Sequence, residues 1–146
     1  KKIAEAIQEM WKKNLGINVQ LTNQEWGVYL ASRDALNYEV ARAGWIGDYM
    51  DPMTFLDMWT TTNGNNDTGW SNKTYDNLIF GAFKVADPIA RAKMLHQAED
   101  ILMNEMPIMP IYFYVNLNVM RPWVKGAVRS PLGFIDFSNA YVLEHK

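Results

Sequence analysis

The 146-residue chain contains no cysteine, which excludes disulfide bonds, thiolate metal sites and cysteine nucleophiles. It has only two histidines, His96 and His145, and His96 lies in a helical pattern beside polar residues, which is typical of a surface position. The sequence also lacks a glycine-rich phosphate loop, a nucleophile elbow, a zinc-binding HExxH sequence and a calcium-binding EF-hand loop. These absences argue against an enzyme, and we expect no catalytic residue and no cofactor.

Three aspartates, Asp48, Asp51 and Asp57, come close together in the sequence. Pro52 and the apolar neighbours interrupt the regular spacing with which carboxylates usually surround a metal ion. We therefore expect no metal site.

The chain also has little net charge and no long apolar run. Its formal net charge is −2 without a basic cluster, so neither nucleic acid nor an anionic membrane surface is an expected partner. No stretch approaches the ~20 apolar residues of a membrane span. What is present is an ordinary globular composition, 49% hydrophobic and 21% charged, with aromatic residues at 13%. We expect one domain over residues 1–146, with aromatic side chains available for a pocket.

Hydrophobic periodicity predicts alternating helices and strands in the first half of the chain. A helix over 1–15 ends at Gly16, and a half-buried strand follows over 17–21. A second helix over about 25–36, capped by Thr22 or Asn23, leads to a largely buried strand over 38–45. A short helix over 52–58 begins at the Asp-Pro break.

The second half begins with a polar loop over 60–73 that is rich in Asn, Thr and Gly. Helices are predicted over 74–86 and 88–106, and Asp87-Pro88 supplies the cap and first residue of the latter. A β-prone run over 108–119 precedes a tail with turn signals at Gly126 and Gly133. This order of elements predicts a mixed α/β fold.

Two charged residues occupy positions that a simple scaffold does not require. Arg42 lies in the apolar run 40–45, where a charge is costly unless it is paired or reaches a wet cleft. Asp48 follows the end of that predicted strand, where α/β folds commonly place ligands. Each has a structural alternative, since Arg42 can pair with Glu39 or Asp48, and Asp48 can cap the turn toward Pro52.

Residues 42–52 read Arg-Ala-Gly-Trp-Ile-Gly-Asp-Tyr-Met-Asp-Pro, and this segment resembles the oligopeptide-binding proteins of ABC importers, which are family 5 extracellular solute-binding proteins. Other segments resemble the family in the same order, namely 65–68, 84–87, 110–116, 121–124 and 136–141. The resemblance implies an α/β fold of the periplasmic-binding-protein type II kind, with a mixed sheet flanked by helices. This chain would then supply most of the C-terminal lobe of a longer, two-lobed protein.

Carried over position by position, the resemblance implies that Asp48 pairs with the α-ammonium group of a bound peptide. Neighbouring aromatic side chains are expected to shield this carboxylate partly from water, which strengthens such a bond. The backbone of Gly44, Trp45 and Ile46 is implied to pair with the extended ligand, with Trp45 also walling a side-chain pocket. The resemblance also implies three residues that line pockets for ligand side chains, Trp26, Leu30 and Tyr114. It further implies two basic residues, Arg33 and Arg42, that can meet the carboxylate of a short peptide.

The resemblance further implies a monomeric receptor that binds oligopeptides between its lobes and delivers them to the permease of an ABC importer. Its location would be extracytoplasmic, either in the periplasm or as a cell-surface lipoprotein of a bacterium. Three other ligands remain open on the same fold: a nickel chelate, an oligosaccharide or a signal peptide such as a pheromone. An enzyme or an adhesion domain is the alternative from a different class.

Overall fold

The computed structural model describes residues 2–145. These residues belong to two compact units, Lys1–Val40 and Ala41–Lys146. The expectation of one domain over 1–146 stays a prediction. No helix among the described residues is long and apolar enough to cross a membrane.

The first unit contains α1 (Lys2–Leu15) and α2 (Trp26–Asp34). As predicted, α1 ends before Gly16, which adopts φ +69° and donates its N–H to the carbonyl of Lys12 at 3.2 Å. The predicted apolar face of α1 is only half-buried at Ile7 and Trp11, and no residue of the helix is fully buried.

The cap of α2 was predicted wrongly. The helix begins at Trp26, and the carboxylate of Glu25 accepts from the backbone N–H groups of Gly27 at 2.8 Å and Val28 at 3.3 Å. Thr22 and Asn23 lie too far ahead of this first turn to reach its free N–H groups. Glutamate is an uncommon cap, so residue preference pointed to the wrong position.

The second unit is built around three helices: α3 (Met53–Leu56), α4 (Lys73–Ala82) and α5 (Pro88–Glu105). A single 3₁₀ turn, Asp57–Trp59, continues α3. The buried core is formed where the three helices meet, by Met53, Leu56, Tyr75, Ile79, Ala82, Leu95, Ala98 and Leu102. The removal of these side chains from water is the main force that holds the unit together.

Tyr75 contributes both packing and a hydrogen bond to this core. Its ring is fully buried, and its hydroxyl donates to the carbonyl of Leu56 at 2.5 Å. Burial, followed by the charge of Asp57, raises the pKa of this hydroxyl well above its usual range. The bond ties α4 to the end of α3.

Local capping signals located the long helices correctly. Asp87 accepts from the N–H groups of Ile89 and Ala90, both at 3.2 Å, and Pro88 is the first residue of α5. The Asn72 side chain caps α4 in the same way, accepting from the N–H groups of Thr74 at 2.9 Å and Tyr75 at 3.0 Å. The predicted α4 boundaries, 74–86, extended too far, because the helix ends at Ala82.

The predicted polar loop is present and is organised by one amide. The Asn66 side chain donates to the carbonyls of Trp59, Thr60 and Trp70 at 3.0–3.3 Å. Glu105 at the end of α5 accepts from the Trp70 indole and the Asn72 amide, both at 2.6 Å. These bonds join the loop to the helices on either side of it.

The strands differ most from prediction. The described residues contain four two-residue strands: β1 (Val124–Lys125), β2 (Val128–Arg129), β3 (Ile135–Asp136) and β4 (Tyr141–Val142). They form two antiparallel pairs, β1 with β4 and β2 with β3. Gly126 makes the turn after β1 with φ +76°, and a Cβ there would lie 2.0 Å from the Asn139 carbonyl oxygen.

The strands predicted over 17–21, 38–45 and 108–119 are wrong for the residues that the structure describes. These segments are extended or irregular, and none of them has a strand partner within 2–145. A β-prone sequence forms a strand only when a neighbour satisfies its backbone N–H and C=O groups. The mixed sheet expected from them is therefore replaced, within the described chain, by the two small antiparallel pairs.

Candidate functional site

Asp48 lies in a loop of the second unit, between the extended segment 41–47 and α3. Its backbone N–H donates to the Thr54 hydroxyl at 3.0 Å, and Thr54 is only 2% exposed. The expected shielding of Asp48 by aromatic side chains is wrong. Asp48 is exposed, and Trp45 and Tyr49 are themselves 37% and 43% exposed.

Tyr49 faces a group of carboxylates. Its hydroxyl donates to the Asp57 carboxylate at 3.3 Å. Partial burial and then the charge of Asp57 raise the pKa of Tyr49, with smaller contributions from Asp51 and Asp48. The Tyr49 hydroxyl thus lies near three carboxylates, and the exposed carboxylate of Asp48 can itself meet a cationic ligand group. Within residues 2–145, no group of three or more acidic or histidine side chains is arranged to hold a metal ion.

The turn toward Pro52 is capped by Asp51. One Asp51 oxygen accepts from the Met53 N–H at 2.9 Å. The structural alternative for Asp48, a cap of this turn, is therefore taken by Asp51. The Arg91 guanidinium on α5 also binds Asp51 through two parallel hydrogen bonds of 2.8 Å. These bonds hold the pKa of the Asp51 carboxyl below its usual value and raise the pKa of Arg91.

The structure brings three of the predicted site residues together. The Arg42 guanidinium donates to the Tyr114 hydroxyl and lies 5.8 Å from the centroid of the Tyr114 ring. A Cβ at Gly44 would lie 3.7 Å from the same ring, which is ordinary contact distance. The Arg42 guanidinium, the Tyr114 ring and the backbone of Gly44, which carries no side chain, therefore lie next to one another.

The backbone that was expected to pair with a ligand lies at the surface. Residues 41–47 belong to no helix or strand of the described chain, and Gly44, Trp45 and Ile46 are all exposed. Ile46 is 78% exposed. An extended segment without a strand neighbour can accept one from another chain.

Trp26, Leu30 and Arg33 lie on α2 in the first unit. Trp26 is 66% exposed and stacks on Tyr29 at 5.3 Å between ring centroids. The Arg33 guanidinium lies 5.6 Å from the centroid of Tyr29 and donates to its hydroxyl at 3.4 Å. Their role as ligand contacts stays a prediction.

Sequence reasoning missed the residues that support the predicted ones. Tyr29 links Trp26 and Arg33, and its spacing of three and four residues from them on a helix was the available signal. Thr54 and Arg91 carried no such signal, because neither is a near neighbour of Asp48 in the same helix or strand.

The model of bacterial extracellular solute-binding proteins, family 5 middle region, matches residues 1–67. The chain is 47% identical over 140 residues to the dipeptide-binding protein DppE of Bacillus subtilis, covering 96% of this chain and 26% of that protein. It is 40% identical over 146 residues to the periplasmic oligopeptide-binding protein OppA of Salmonella typhimurium, covering 99% of this chain and 27% of that protein. The chain thus spans about a quarter of the length of these relatives.

Solved structures agree with these matches. The murein tripeptide-binding protein MppA of Escherichia coli aligns with a TM-score of 0.86 at 41% identity, over 99% of this chain and 28% of that protein. OppA of Haemophilus influenzae, solved in complex with the peptide RPPGFSPFR, aligns with a TM-score of 0.85 at 38% identity, over 98% of this chain and 28% of that protein. The α/β fold class expected from the resemblance is confirmed, and the chain belongs to the family 5 bacterial extracellular solute-binding proteins.

Proposed function

We propose that this chain forms part of the peptide-binding cleft of a two-lobed receptor, which captures oligopeptides and delivers them to the permease of an ABC importer. The observation that carries the proposal is the exposed carboxylate of Asp48, which closely follows Gly44, Trp45 and Ile46, three exposed residues that belong to no strand of the described chain. One feature can bind a peptide's α-ammonium group, and the other can pair with its backbone.

Main-chain pairing explains how such a receptor tolerates many sequences. Hydrogen bonds from the backbone of Gly44, Trp45 and Ile46 provide affinity without reading side chains. Ring faces at Trp45 and Tyr114 supply apolar contact area for the ligand in the second unit. Trp26 and Leu30 on α2 have the same proposed role in the first unit. Arg33 and Arg42 supply positive charge for a ligand carboxylate.

The proposed receptor is a non-enzymatic, monomeric binding protein located outside the cytoplasmic membrane of a bacterium. The relatives named as periplasmic support this location. The exposed carboxylate of Asp48 favours a ligand with a positive terminus over a neutral sugar.

The test is titration calorimetry on the full-length receptor with a short peptide and its N-acetylated form. We expect the free-amino peptide to bind more tightly, and Asp48→Ala to weaken its binding by about 2–5 kcal/mol, because one partner of a charge pair is lost. Equal binding of the two peptides by the wild type, or undiminished binding by Asp48→Ala, contradicts the proposal.

A second candidate is a different small solute on the same fold. One relative, 31% identical over 145 residues, is a probable deoxycholate-binding periplasmic protein of Escherichia coli. Mass spectrometry of the ligand that co-purifies with the full-length receptor separates the two. A peptide supports the first proposal, and a steroid or other organic anion supports the second.

A further inference from the structure

The position of Asp48 is set by its backbone and not by side chains that cover it. Asp48 is exposed, so packing does not restrict its carboxylate. Its backbone N–H, however, donates to the hydroxyl of Thr54, which is almost fully buried in α3. A charged group that must meet a ligand in one geometry gains affinity when its position is fixed in advance.

The loop is also held against α3 by close packing. A Cβ at Gly47 would lie 3.1 Å from the Phe55 ring and 3.2 Å from the Thr54 methyl group. These distances are shorter than ordinary contacts, so a side chain at position 47 would require Phe55 or Thr54 to shift by a few tenths of an ångström. Thr54 therefore binds the loop through its hydroxyl, and its methyl group lies close to Gly47.

The first turn of α3 is attached in turn to α5. The carboxylate of Asp51 accepts from the Met53 N–H and from both terminal nitrogens of Arg91, 40 residues later. The Thr54 N–H donates to the Asp51 carbonyl at 3.2 Å. Bidentate arginine–carboxylate pairs fix orientation as well as distance. A continuous set of hydrogen bonds thus runs from Arg91 through Asp51 and Thr54 to the Asp48 backbone.

We propose that Thr54 and the Asp51–Arg91 pair are positioning residues for the ligand anchor Asp48, and set how strongly the receptor distinguishes a free peptide amino terminus from a blocked one. This inference rests on the proposed function. Thr54 and Arg91 do not touch the ligand; they hold the backbone from which the anchoring carboxylate projects.

The experiment measures, on the full-length receptor, the ratio of affinities for a free-amino tripeptide and its N-acetylated form. Because both affinities come from one preparation, a fraction of unfolded protein cancels in the ratio. We expect Thr54→Val, which removes the hydroxyl but keeps the shape, to lower the ratio about tenfold. Thr54→Ser, which keeps the hydroxyl, should retain most of the wild-type ratio. Arg91→Lys should lower the ratio by a smaller factor, since one ammonium group cannot reproduce two parallel bonds.

The matched control is Glu105→Gln. Glu105 also joins α5 to an earlier loop through two hydrogen bonds, but to Trp70 and Asn72, away from Asp48. It should lower the thermal midpoint and leave the ratio unchanged.

Each outcome bears on one proposal or both. A wild-type ratio near one overturns the anchor, and the positioning role with it. A wild-type preference that Asp48→Asn abolishes, but that Thr54→Val and Arg91→Lys leave intact, supports the anchor and overturns the positioning role. An equal loss in Glu105→Gln also overturns it, because the effect would then reflect general loosening of α5. If Thr54→Val does not fold, Arg91→Lys decides, because a ratio equal to that of the wild type then overturns the positioning role.

Discussion

The guanidinium of Arg42 donates to the hydroxyl of Tyr114, 72 residues later in the chain, and lies 5.8 Å from the centroid of its ring. Arg42 is itself exposed, so its charge within the apolar run is not buried, and the Tyr114 ring lies against it. The pair lies next to Gly44, whose backbone is part of the proposed ligand-binding segment.

Arg42 is expected to recognise the carboxylate of short peptides. Arg42→Ala should weaken binding of a free-carboxylate tripeptide at least about tenfold and hardly change binding of its C-terminal amide. Tyr114→Phe keeps the ring under the guanidinium and should cost less than Arg42→Ala. The measurement is calorimetry on the full-length receptor, with Arg33→Ala in parallel. A loss of carboxylate preference in Arg33→Ala, but not in Arg42→Ala, assigns the role to Arg33 instead.

The Asp51–Arg91 pair predicts a pH dependence of stability. The pKa of Asp51 is lowered in the folded state, chiefly because Arg91 donates to it. A carboxyl group of this kind stabilises the fold above its unfolded pKa, about 3.9, and the contribution is lost as the pH falls through the lower folded value. The free energy of unfolding of the wild type should therefore decrease more steeply below about pH 4 than that of Asp51→Asn.

Urea denaturation at a series of pH values measures this difference. Arg91→Lys keeps the charge but not the bidentate geometry, so its slope should lie between the two. Identical slopes for wild type and Asp51→Asn would show that the pair contributes nothing to acid stability.

The buried hydroxyl of Tyr75 predicts a loss of stability. Tyr75→Phe removes the donor to the Leu56 carbonyl and leaves that acceptor buried without it. We expect a cost of about 1–3 kcal/mol in the free energy of unfolding. The matched control is Tyr49→Phe, which also removes a hydroxyl donor, but from a side chain that is 43% exposed. Chemical denaturation should show a clearly smaller loss for the control, and equal losses would contradict the account of the core.

Several helix boundaries followed from neighbouring residues. Asp87-Pro88 placed the start of α5, and Gly16 placed the end of α1, because caps and left-handed glycines act within one helical turn. Whether residues 108–119 form a strand could not be predicted from neighbouring residues, because a strand needs a pairing partner. The β-prone residues of this segment, such as Phe113 and Val119 at 97% exposure each, have no partner strand within the described chain.

The sequence by itself determined the main helices, because caps and apolar spacing act between near neighbours, and its resemblance to known proteins indicated the family and the candidate anchor Asp48. The tertiary structure decided what surrounds that anchor. It exposed Asp48 where shielding was expected, gave the turn cap to Asp51, and joined residues 40 and 72 positions apart as Asp51–Arg91 and Arg42–Tyr114. Such contacts arise only when packing of α3, α4 and α5 brings distant segments together, and no local periodicity encodes them.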